Sequence, residues 1–207
     1  QTLKYEADRD LCVEMAKQNL TDIRFLQETH KKKYGKYIDN WDDLVQFAKV
    51  GTMPIPIAKG TVPKEKITSE ERDYLYNDNR PIDYNMTEEE AYRLSKWTEG
   101  PRYNELFKGF VRDTIQKSIM DTKFKSKSYI ESREKAGLKA FDPEKLPYIP
   151  FTKNEKWSLQ VRDSVKMGEI VGPSIEVRGT LPFGEIEGTK DKIEMYFGNI
   201  STLDTEG

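Results

Sequence analysis

A long amphipathic helix that leads directly into a short one constrains this chain more than any other feature. From about Tyr5 to about Lys32, apolar and small residues recur at spacings of three and four, which is the period of one helix face. This stripe consists of Cys12, Ala16, Asn19 or Leu20, Ile23, Leu26 and His30, widened by Leu11 and Met15. The charged residues predicted to lie mostly on other faces are Lys17, Asp22, Arg24 and Glu28. One face of the helix is therefore expected to be buried.

Local signals mark the end of the first helix and both ends of the second. Gly35 stands where a left-handed C-cap glycine stops a helix, and Lys31–Lys33 complement the negative end of the helix dipole. Asn40 is a favourable N-cap for a second helix that ends near Gly51. This second helix has Asp42 and Asp43 in its first turn and is predicted to bury Leu44, Val45, Phe47 and Ala48.

This order of elements resembles the soluble part of type IV pilins and type II secretion pseudopilins, in which a long helix leads to a turn and a short helix. The residues that carry the resemblance are Gly35, Tyr37, Trp41, Asp42, Asp43 and Leu44. Two later segments, 110–114 and 141–151, are similar to segments of a family of uncharacterised bacterial envelope proteins. Members of that family look like proteins with one N-terminal membrane anchor, a helix like this one and a β-rich remainder. The chain departs from that pattern between about Lys64 and Gly109.

The resemblance implies a protein of the bacterial cell envelope, on its periplasmic or extracellular side. It implies partners that are other envelope proteins or copies of the same chain, and a membrane anchor formed by a segment upstream of Gln1. The missing N-cap signal ahead of Leu3 agrees with this expectation, because it predicts that the first helix begins before Gln1. The sequence itself contains no run of about 18 apolar residues.

Composition favours a folded domain and argues against nucleic acid as a partner. The 207 residues include 9 Phe, 11 Tyr and 3 Trp, which supply large apolar areas for a core. The 34 basic and 36 acidic residues give a net charge of −2, whereas a nucleic-acid-binding domain carries a one-sided basic field. We expect a single domain over 1–207, with a helical part at 1–50, loops and short helices at 51–109 and a β-rich part at 110–207.

The middle of the chain is predicted to hold an extended segment and two short helices. Prolines alternate with apolar residues in Met53–Ile57, which excludes a helix there. The segments 67–75 and 86–94 resemble each other, and each places a glutamate three residues after a threonine. These pairs are Thr68 with Glu71 and Thr87 with Glu90. The spacing predicts a capping box at the start of each helix.

The remainder of the chain is predicted to be mainly strands. The stretch 103–120 suits either a helix or a strand, and a strand is expected from about Phe110, partly because the resemblance implies it. The stretch 123–140, which is rich in Lys and Ser, is expected to be mobile. Apolar and polar residues alternate through Trp157–Arg162, as in a half-buried strand. Two further strands are predicted at 175–179, after a turn at Gly172–Pro173, and at 193–197.

Helices first and strands later is the order of an α+β fold. We therefore predict a long N-terminal helix packed on an antiparallel β-sheet, pilin-like, with extra short helices.

No arrangement of residues in the sequence requires a catalytic interpretation. The only histidine, His30, falls at a helix end, and the only cysteine, Cys12, falls on the apolar stripe. The acidic group Asp39, Asp42 and Asp43 lacks the spacing of a calcium loop, and helix capping explains it. The acidic pair Glu185 and Glu187 could in principle serve glycoside hydrolysis, but it is interpreted as the exposed side of a strand or loop in which acidic and apolar residues alternate. We thus assign no catalytic, cofactor-binding or metal-ligating residue and no cofactor, and predict a protein that is not an enzyme.

Several short motifs concern surface chemistry. The basic and aromatic run Lys31–Tyr37 is interpreted as a solvated helix end rather than a nucleic-acid patch. The N-glycosylation pattern occurs at Asn19, Asn85 and Asn199, where chance is a sufficient explanation. The tripeptides Asp113-Thr114-Ile115 and Asp163-Ser164-Val165 look like the acceptor of an envelope O-glycosylation system found in some bacteria, and they agree with export.

Two functional hypotheses remain open. The first is a non-enzymatic, envelope-anchored structural or interaction domain that binds partners or copies of itself. The second is an exported binding module for a small ligand or glycan, with Tyr74, Tyr76, Tyr92 and Trp97 as stacking surfaces. A pocket lined by several of these aromatic residues would favour the second hypothesis.

Overall fold

The structure is a computed structural model and describes residues 2–167, 170–183 and 195–197. It is mixed helix and antiparallel sheet, so the predicted α+β class is confirmed. The helices are α1 (Thr2–Tyr34), α2 (Trp41–Val50), α3 (Ser69–Tyr76), α4 (Glu88–Lys96) and α5 (Lys127–Lys135). The strands are β1 (Thr52–Lys59), β2 (Val111–Ser118), β3 (Ser158–Met167), β4 (Ile170–Arg178) and β5 (Met195–Phe197). Shorter helical turns lie at Tyr103–Phe107, Met120–Phe124 and Pro143–Lys145.

Helix α1 buries the predicted apolar face and, in addition, the polar residue Asp22. The fully buried apolar residues of its stripe are Cys12, Ala16, Leu20, Ile23 and Leu26. Met15 is exposed, so the stripe is narrower there than expected. Asp22, expected on another face, is only 1% exposed, which corrects that prediction. Gly35 ends the helix with φ of +78°, and its N–H donates to the Lys31 carbonyl at 2.7 Å.

Helix α2 follows its sequence signals closely. The Asp43 N–H donates to the Asn40 side-chain oxygen at 2.9 Å, as expected of an N-cap. The predicted residues Leu44, Val45, Phe47 and Ala48 are all buried, and the Gly51 N–H donates to the Phe47 carbonyl. These bonds need only residues a few positions apart, which is why the sequence predicts them well.

The contacts within the chain divide it into two compact units, which we call unit 1 (1–53 and 117–207) and unit 2 (54–116). The single domain therefore stays a prediction.

The core of unit 1 joins helix and sheet. Ala16, Leu20 and Ile23 of α1 share one buried cluster with Ile175 and Val177 of β4. Other buried members are Leu26, Tyr37, Ile38, Leu44, Phe47, Ala48, Ile119, Phe124, Tyr129, Leu146, Ile149 and Trp157. Strands β3, β4 and β5 pair in that order and are antiparallel.

The predicted turn at Gly172–Pro173 is wrong, because both residues lie inside β4. The register runs Arg162↔Ser174 and then Val165↔Gly172, so two residues of β3 oppose Pro173 alone. Such a bulge accommodates a proline, which has no N–H to donate to the ladder. The third predicted strand is described only at Met195–Phe197, and Ile193 and Glu194 lie outside the described residues.

The expectation that 123–140 is mobile is also wrong. The segment forms α5, which Ser126 caps by accepting a hydrogen bond from the Tyr129 N–H. The rings of Phe124 and Phe141 stack with their centroids 3.6 Å apart, and Phe124, Tyr129 and Leu138 are buried. A few aromatic residues thus order a segment that is otherwise rich in lysine and serine.

Unit 2 contains the two predicted capping boxes. Thr68 and Glu71 form one at the start of α3, and Thr87 and Glu90 form the other at the start of α4, each with both of its hydrogen bonds. The core of this unit consists of Ile67, Leu75, Met86, Ala91, Leu94, Phe107 and Phe110. The extended segment and the strand after Phe110 are confirmed as β1 and β2, which pair as a two-stranded antiparallel sheet.

Candidate interaction surface

The beginning of α1 is exposed. All residues from Leu3 to Ala7 are exposed, and Cys12 is the first residue of the helix that is fully buried. Leu3 is 83% exposed and Tyr5 is 51% exposed. Because a helix rises about 1.5 Å per residue, the first turns extend roughly 13 Å ahead of the buried stripe.

Three aromatic residues meet at this end of the helix, and we call them the aromatic surface: Tyr5, Phe151 and Phe183. The Tyr5 hydroxyl donates to the Phe183 carbonyl at 2.9 Å. The Phe183 ring lies edge to face with both other rings, with centroids 5.5 Å from each. Phe151 is 45% exposed, so the surface presents large apolar groups to solvent.

Phe151 adopts a left-handed backbone conformation with φ of +63°. A non-glycine residue there costs about 1–2 kcal/mol, and the surrounding structure must impose it. The segment before it is tied to α1: Asn19 donates to the Tyr148 carbonyl at 3.2 Å, and the Cys12 thiol lies 3.6 Å from the Pro150 carbonyl. The fold thus holds Phe151 outward through bonds to the same helix that carries Tyr5.

A buried polar cluster fastens α5 to the middle of α1. The Tyr129 hydroxyl donates to Asp22 Oδ2 at 2.6 Å, and the Gln18 amide donates to Asp22 Oδ1 at 2.9 Å. Arg133 approaches the same carboxylate at 3.5 Å and donates to the Tyr129 hydroxyl at 3.2 Å. Burial raises the pKa of Asp22 to about 6, although Tyr129, Gln18, Arg133 and Lys123 all favour its charged form. Burial beside Asp22 also raises the pKa of Tyr129.

Unit 2 buries two further carboxylates, one in each capping box. Glu71 accepts two bonds from the Arg102 guanidinium, at 2.8 and 2.6 Å, and one from the Thr68 N–H at 2.8 Å. Burial raises its pKa, but the bonds from Arg102 and Thr68 outweigh burial, and the net pKa is lowered. Arg102 also reaches Glu65 at 2.6 Å.

The pKa of Glu90 is also lowered, although the groups that bond to its carboxylate are neutral. Its carboxylate accepts from the hydroxyls of Tyr76 and Tyr84, at 2.6 and 3.0 Å, and from the Thr87 N–H at 2.8 Å. These three bonds outweigh the effect of burial, so the pKa of Glu90 is lowered. The bond to Glu90 raises the pKa of Tyr76.

The residues that the sequence analysis considered for catalysis or metal binding are His30, Cys12 and the acidic group at α2, and each makes contacts that support the fold. The His30 ring packs edge to face on Phe47 at 5.0 Å, and its Nδ1 lies 2.7 Å from the Lys36 carbonyl. Cys12 is buried, and burial raises the pKa of its thiol to about 11. Of the acidic group at α2, Asp43 bonds to the capping Asn40. Within the described ranges no three acidic, His or Cys side chains are grouped to hold a metal ion. Glu185 and Glu187 lie outside the described residues.

The four aromatic residues proposed as stacking surfaces include one stacked pair and two rings that contact cations. Tyr74 stacks on Trp97 with centroids 4.3 Å apart and an interplanar angle of 6°. Arg80 lies 3.6 Å above the Tyr76 ring, and Lys96 lies 5.0 Å above the Tyr92 ring. The fold therefore brings Tyr74 and Trp97 together and engages the other two rings with cations.

Sequence reasoning missed both the aromatic surface and the buried Asp22. Tyr5, Phe151 and Phe183 are too far apart in the chain to form a local pattern. Asp22 had a detectable signal, because Gln18 stands one turn before it and the two polar residues share a face next to the apolar stripe.

None of the described helices has the length and apolar content that crossing a bilayer requires. Comparison with protein-family models, with curated proteins and with solved structures finds no match for this chain.

Proposed function

We propose that this chain is a non-enzymatic structural or interaction domain of the bacterial cell envelope, pilin-like in its long helix, that associates with a second copy of itself. The aromatic surface beside the exposed beginning of α1 carries the proposal. Leu3 and Tyr5 lie exposed on the helix, and Phe151 is held outward against Phe183, which also contacts Tyr5. In the proposed assembly these groups pack against the α1 helix of another copy.

The chemistry of this surface suits protein–protein contact. Large aromatic residues dominate the binding energy of interfaces, because they bury much area at a low cost in side-chain entropy. The net charge of the chain is −2, so two copies repel each other little. The net charge of the chain therefore opposes association of two copies only weakly.

The polar interior supports a structural role over a chemical one. The buried carboxylates of Asp22, Glu71 and Glu90 each accept hydrogen bonds from side chains of their own unit. Catalytic acids and bases instead point their reacting atoms toward a substrate site. In this fold the three carboxylates hold helices in place.

Site-directed photo-crosslinking in the cells that make the protein tests the proposal. A benzoylphenylalanine replaces Leu3, and in a control variant it replaces Val50, which is 66% exposed at the end of α2. We expect the protein in the envelope fraction and a crosslinked species of twice its mass from position 3 only.

Equal crosslinking from positions 3 and 50 would show random collision and refute the interface. Crosslinking from position 3 to a different envelope protein would keep the interaction domain and refute the second copy as its partner. A cytoplasmic location would refute the envelope role.

One observation favours the alternative function, an exported binding module for a small ligand or glycan. Tyr74 stacks on Trp97 and is still 45% exposed, as a ring that receives a sugar face would be. Titration of unlabelled oligosaccharides into the wild type and Tyr74→Ala, followed by tryptophan fluorescence, tests this function. A saturable change that Tyr74→Ala removes would support it, and no change in the wild type would refute it.

A further inference from the structure

The tripeptides Asp113-Thr114-Ile115 and Asp163-Ser164-Val165 both lie within β-strands. In each of them the residue that carries the hydroxyl is exposed to solvent. In β2, Asp113 and Thr114 are exposed and Ile115 is half-buried. In β3, Asp163 and Ser164 are exposed and Val165 is half-buried. The same three residue types thus have the same order of exposure at two places in the chain.

Thr114 lies on a strand with an open edge. Among the described residues β2 pairs with β1 alone, so its other edge is free to receive a further strand. Asp113 and Ile115 alternate with Thr114, which puts their side chains on one face and the hydroxyl on the other. The Thr114 N–H donates to the Asp113 carboxylate at 2.7 Å, which orders the backbone beside the hydroxyl.

Ser164 lies on the outer strand of the other sheet. β3 is at the end of the order β3–β4–β5, and Asp163 and Ser164 form the bulge opposite Pro173. A bulge leaves its extra residue outside the regular ladder and turns the side chains locally. No other described strand pairs with β3 beyond β4, so this tripeptide is accessible along that strand edge as well.

We propose that the hydroxyls of Thr114 and Ser164 are acceptor sites for an O-linked glycan. An enzyme can bind such a segment as an added strand, with main-chain hydrogen bonds along the free edge and side-chain pockets for Asp and the aliphatic residue. The inference rests on the proposed envelope location, and the donor that it requires is a polyprenyl-diphosphate-linked oligosaccharide. A bulky solubilising group is compatible with both positions, because both are exposed.

The group transfer balances with this donor. The side-chain oxygen of Thr114 or Ser164 forms a glycosidic bond to the anomeric carbon, and the bond from that carbon to the diphosphate oxygen breaks. Polyprenyl diphosphate leaves, and a base of the transferase takes the hydroxyl proton. No oxidant or reductant is required.

The chain contains its own control in Asp121-Thr122-Lys123. This tripeptide has the acid and the hydroxyl residue, but Lys123 replaces the aliphatic residue. It lies in the helical turn Met120–Phe124 rather than in a strand, and Thr122 is half-buried. Sequence and conformation therefore both exclude it as an acceptor under this proposal.

Mass spectrometry of the protein purified from the cells that make it tests the inference. Cleavage after glutamate yields a peptide 106–131, which holds both Thr114 and Thr122, and a peptide 156–169, which holds Ser164. Electron-transfer fragmentation locates the glycan within each peptide. We expect a glycan on Thr114 and on Ser164 and none on Thr122.

Variants separate the two sites. Thr114→Val should remove the glycan from peptide 106–131 while Ser164 keeps its own, and Thr122→Val should change neither. Thr114→Ser should restore the modification. A glycan on only one of the two residues confirms that site and overturns the other.

The location of the protein distinguishes this inference from the proposed function. Protein recovered from the envelope with bare Thr114 and Ser164 overturns the glycan sites and leaves the interaction domain standing. Protein recovered from the cytoplasm overturns both. Modification of Thr122 together with the two strand sites overturns the requirement for an aliphatic residue in a strand.

Discussion

The two units of this protein bury carboxylates to a similar extent with opposite electrostatic results. Asp22 in unit 1 is 1% exposed, and burial raises its pKa to about 6. Glu71 and Glu90 in unit 2 are 1% and 2% exposed, yet their pKa values are lowered despite burial. Burial alone therefore does not determine whether a carboxylate prefers to be charged.

The Arg102 guanidinium beside Glu71 and the position of each carboxylate along its helix explain the difference. Glu71 and Glu90 lie in the first turns of α3 and α4, where unpaired backbone N–H groups and the positive end of the helix dipole stabilise an anion. Asp22 lies in the middle of α1, where the surrounding N–H groups already bond within the helix. Its partners are a hydroxyl, an amide and Arg133 at 3.5 Å, and they do not outweigh desolvation.

The largest expected effect comes from removing the cation beside Glu71. Arg102→Met leaves a nearly buried carboxylate without its charged partner, which should lower the free energy of unfolding by about 3–5 kcal/mol. Arg72→Met is the matched control, because both arginine side chains are 19% exposed but the Arg72 partner, Asp73, is 58% exposed. Urea denaturation followed by circular dichroism measures both. Equal losses in the two variants would contradict the special role of the buried pair.

Removing the hydroxyl that bonds Asp22 should have a smaller effect. Tyr129→Phe deletes the 2.6 Å bond to the carboxylate, and a hydrogen bond to a charged group contributes about 1.5–3 kcal/mol. Tyr92→Phe, at an exposed tyrosine of unit 2, should leave stability unchanged. A loss in Tyr129→Phe no greater than in the control would mean that α5 is held by packing alone.

The raised pKa of Asp22 should appear in the pH dependence of stability. The folded protein binds the Asp22 proton more tightly than the unfolded chain, so this group contributes stability at low pH that is lost as the pH rises through about 6. The free energy of unfolding should therefore increase by ~1 kcal/mol when the pH falls from about 7 to about 5, relative to Asp22→Asn.

The pH range isolates Asp22 from the acids of unit 2. Glu71 and Glu90 have lowered pKa values, so the stability they contribute is present above their unfolded pKa and is lost only at lower pH. Parallel pH profiles of the wild type and Asp22→Asn between these limits would refute the raised pKa.

The smallest effect is expected where an ion pair is fully exposed. The Lys66 ammonium bonds to Asp83 and lowers the pKa of that carboxylate, but Asp83 is 90% exposed. Asp83→Asn should leave the melting temperature unchanged, because water solvates the two separated charges about as well as they stabilise each other in the pair. A clear fall in the melting temperature would show that pairing without burial is enough to stabilise unit 2.

The best sequence predictions depend on residues close together in the chain. Gly35, Asn40 and the two capping boxes each act on a backbone group within four positions, so the local pattern carries nearly all the relevant physics. Alternation through Trp157–Arg162 likewise predicted β3, because the strand places successive side chains on opposite faces. These signals were sufficient for the α+β class.

The errors arise where distant partners decide the structure. The stretch 123–140 has few apolar residues, but Phe141 stacks on Phe124 and Asp22 accepts a hydrogen bond from the Tyr129 hydroxyl, and these contacts order it. Pro173 predicted a turn, but the bulge in β3 lets it remain in a strand. In both cases the deciding atoms lie elsewhere in the chain.

The sequence by itself determined helices α1 to α4, most of their ends and the main strands, because spacing and capping express short-range sterics and hydrogen bonding. It also contained both tripeptides of the proposed glycan sites. Only the tertiary structure decided that Asp22 is buried, that Tyr5, Phe151 and Phe183 meet, and that the tripeptides lie on strand edges. These outcomes depend on which distant surfaces exclude water together, and no local pattern encodes that.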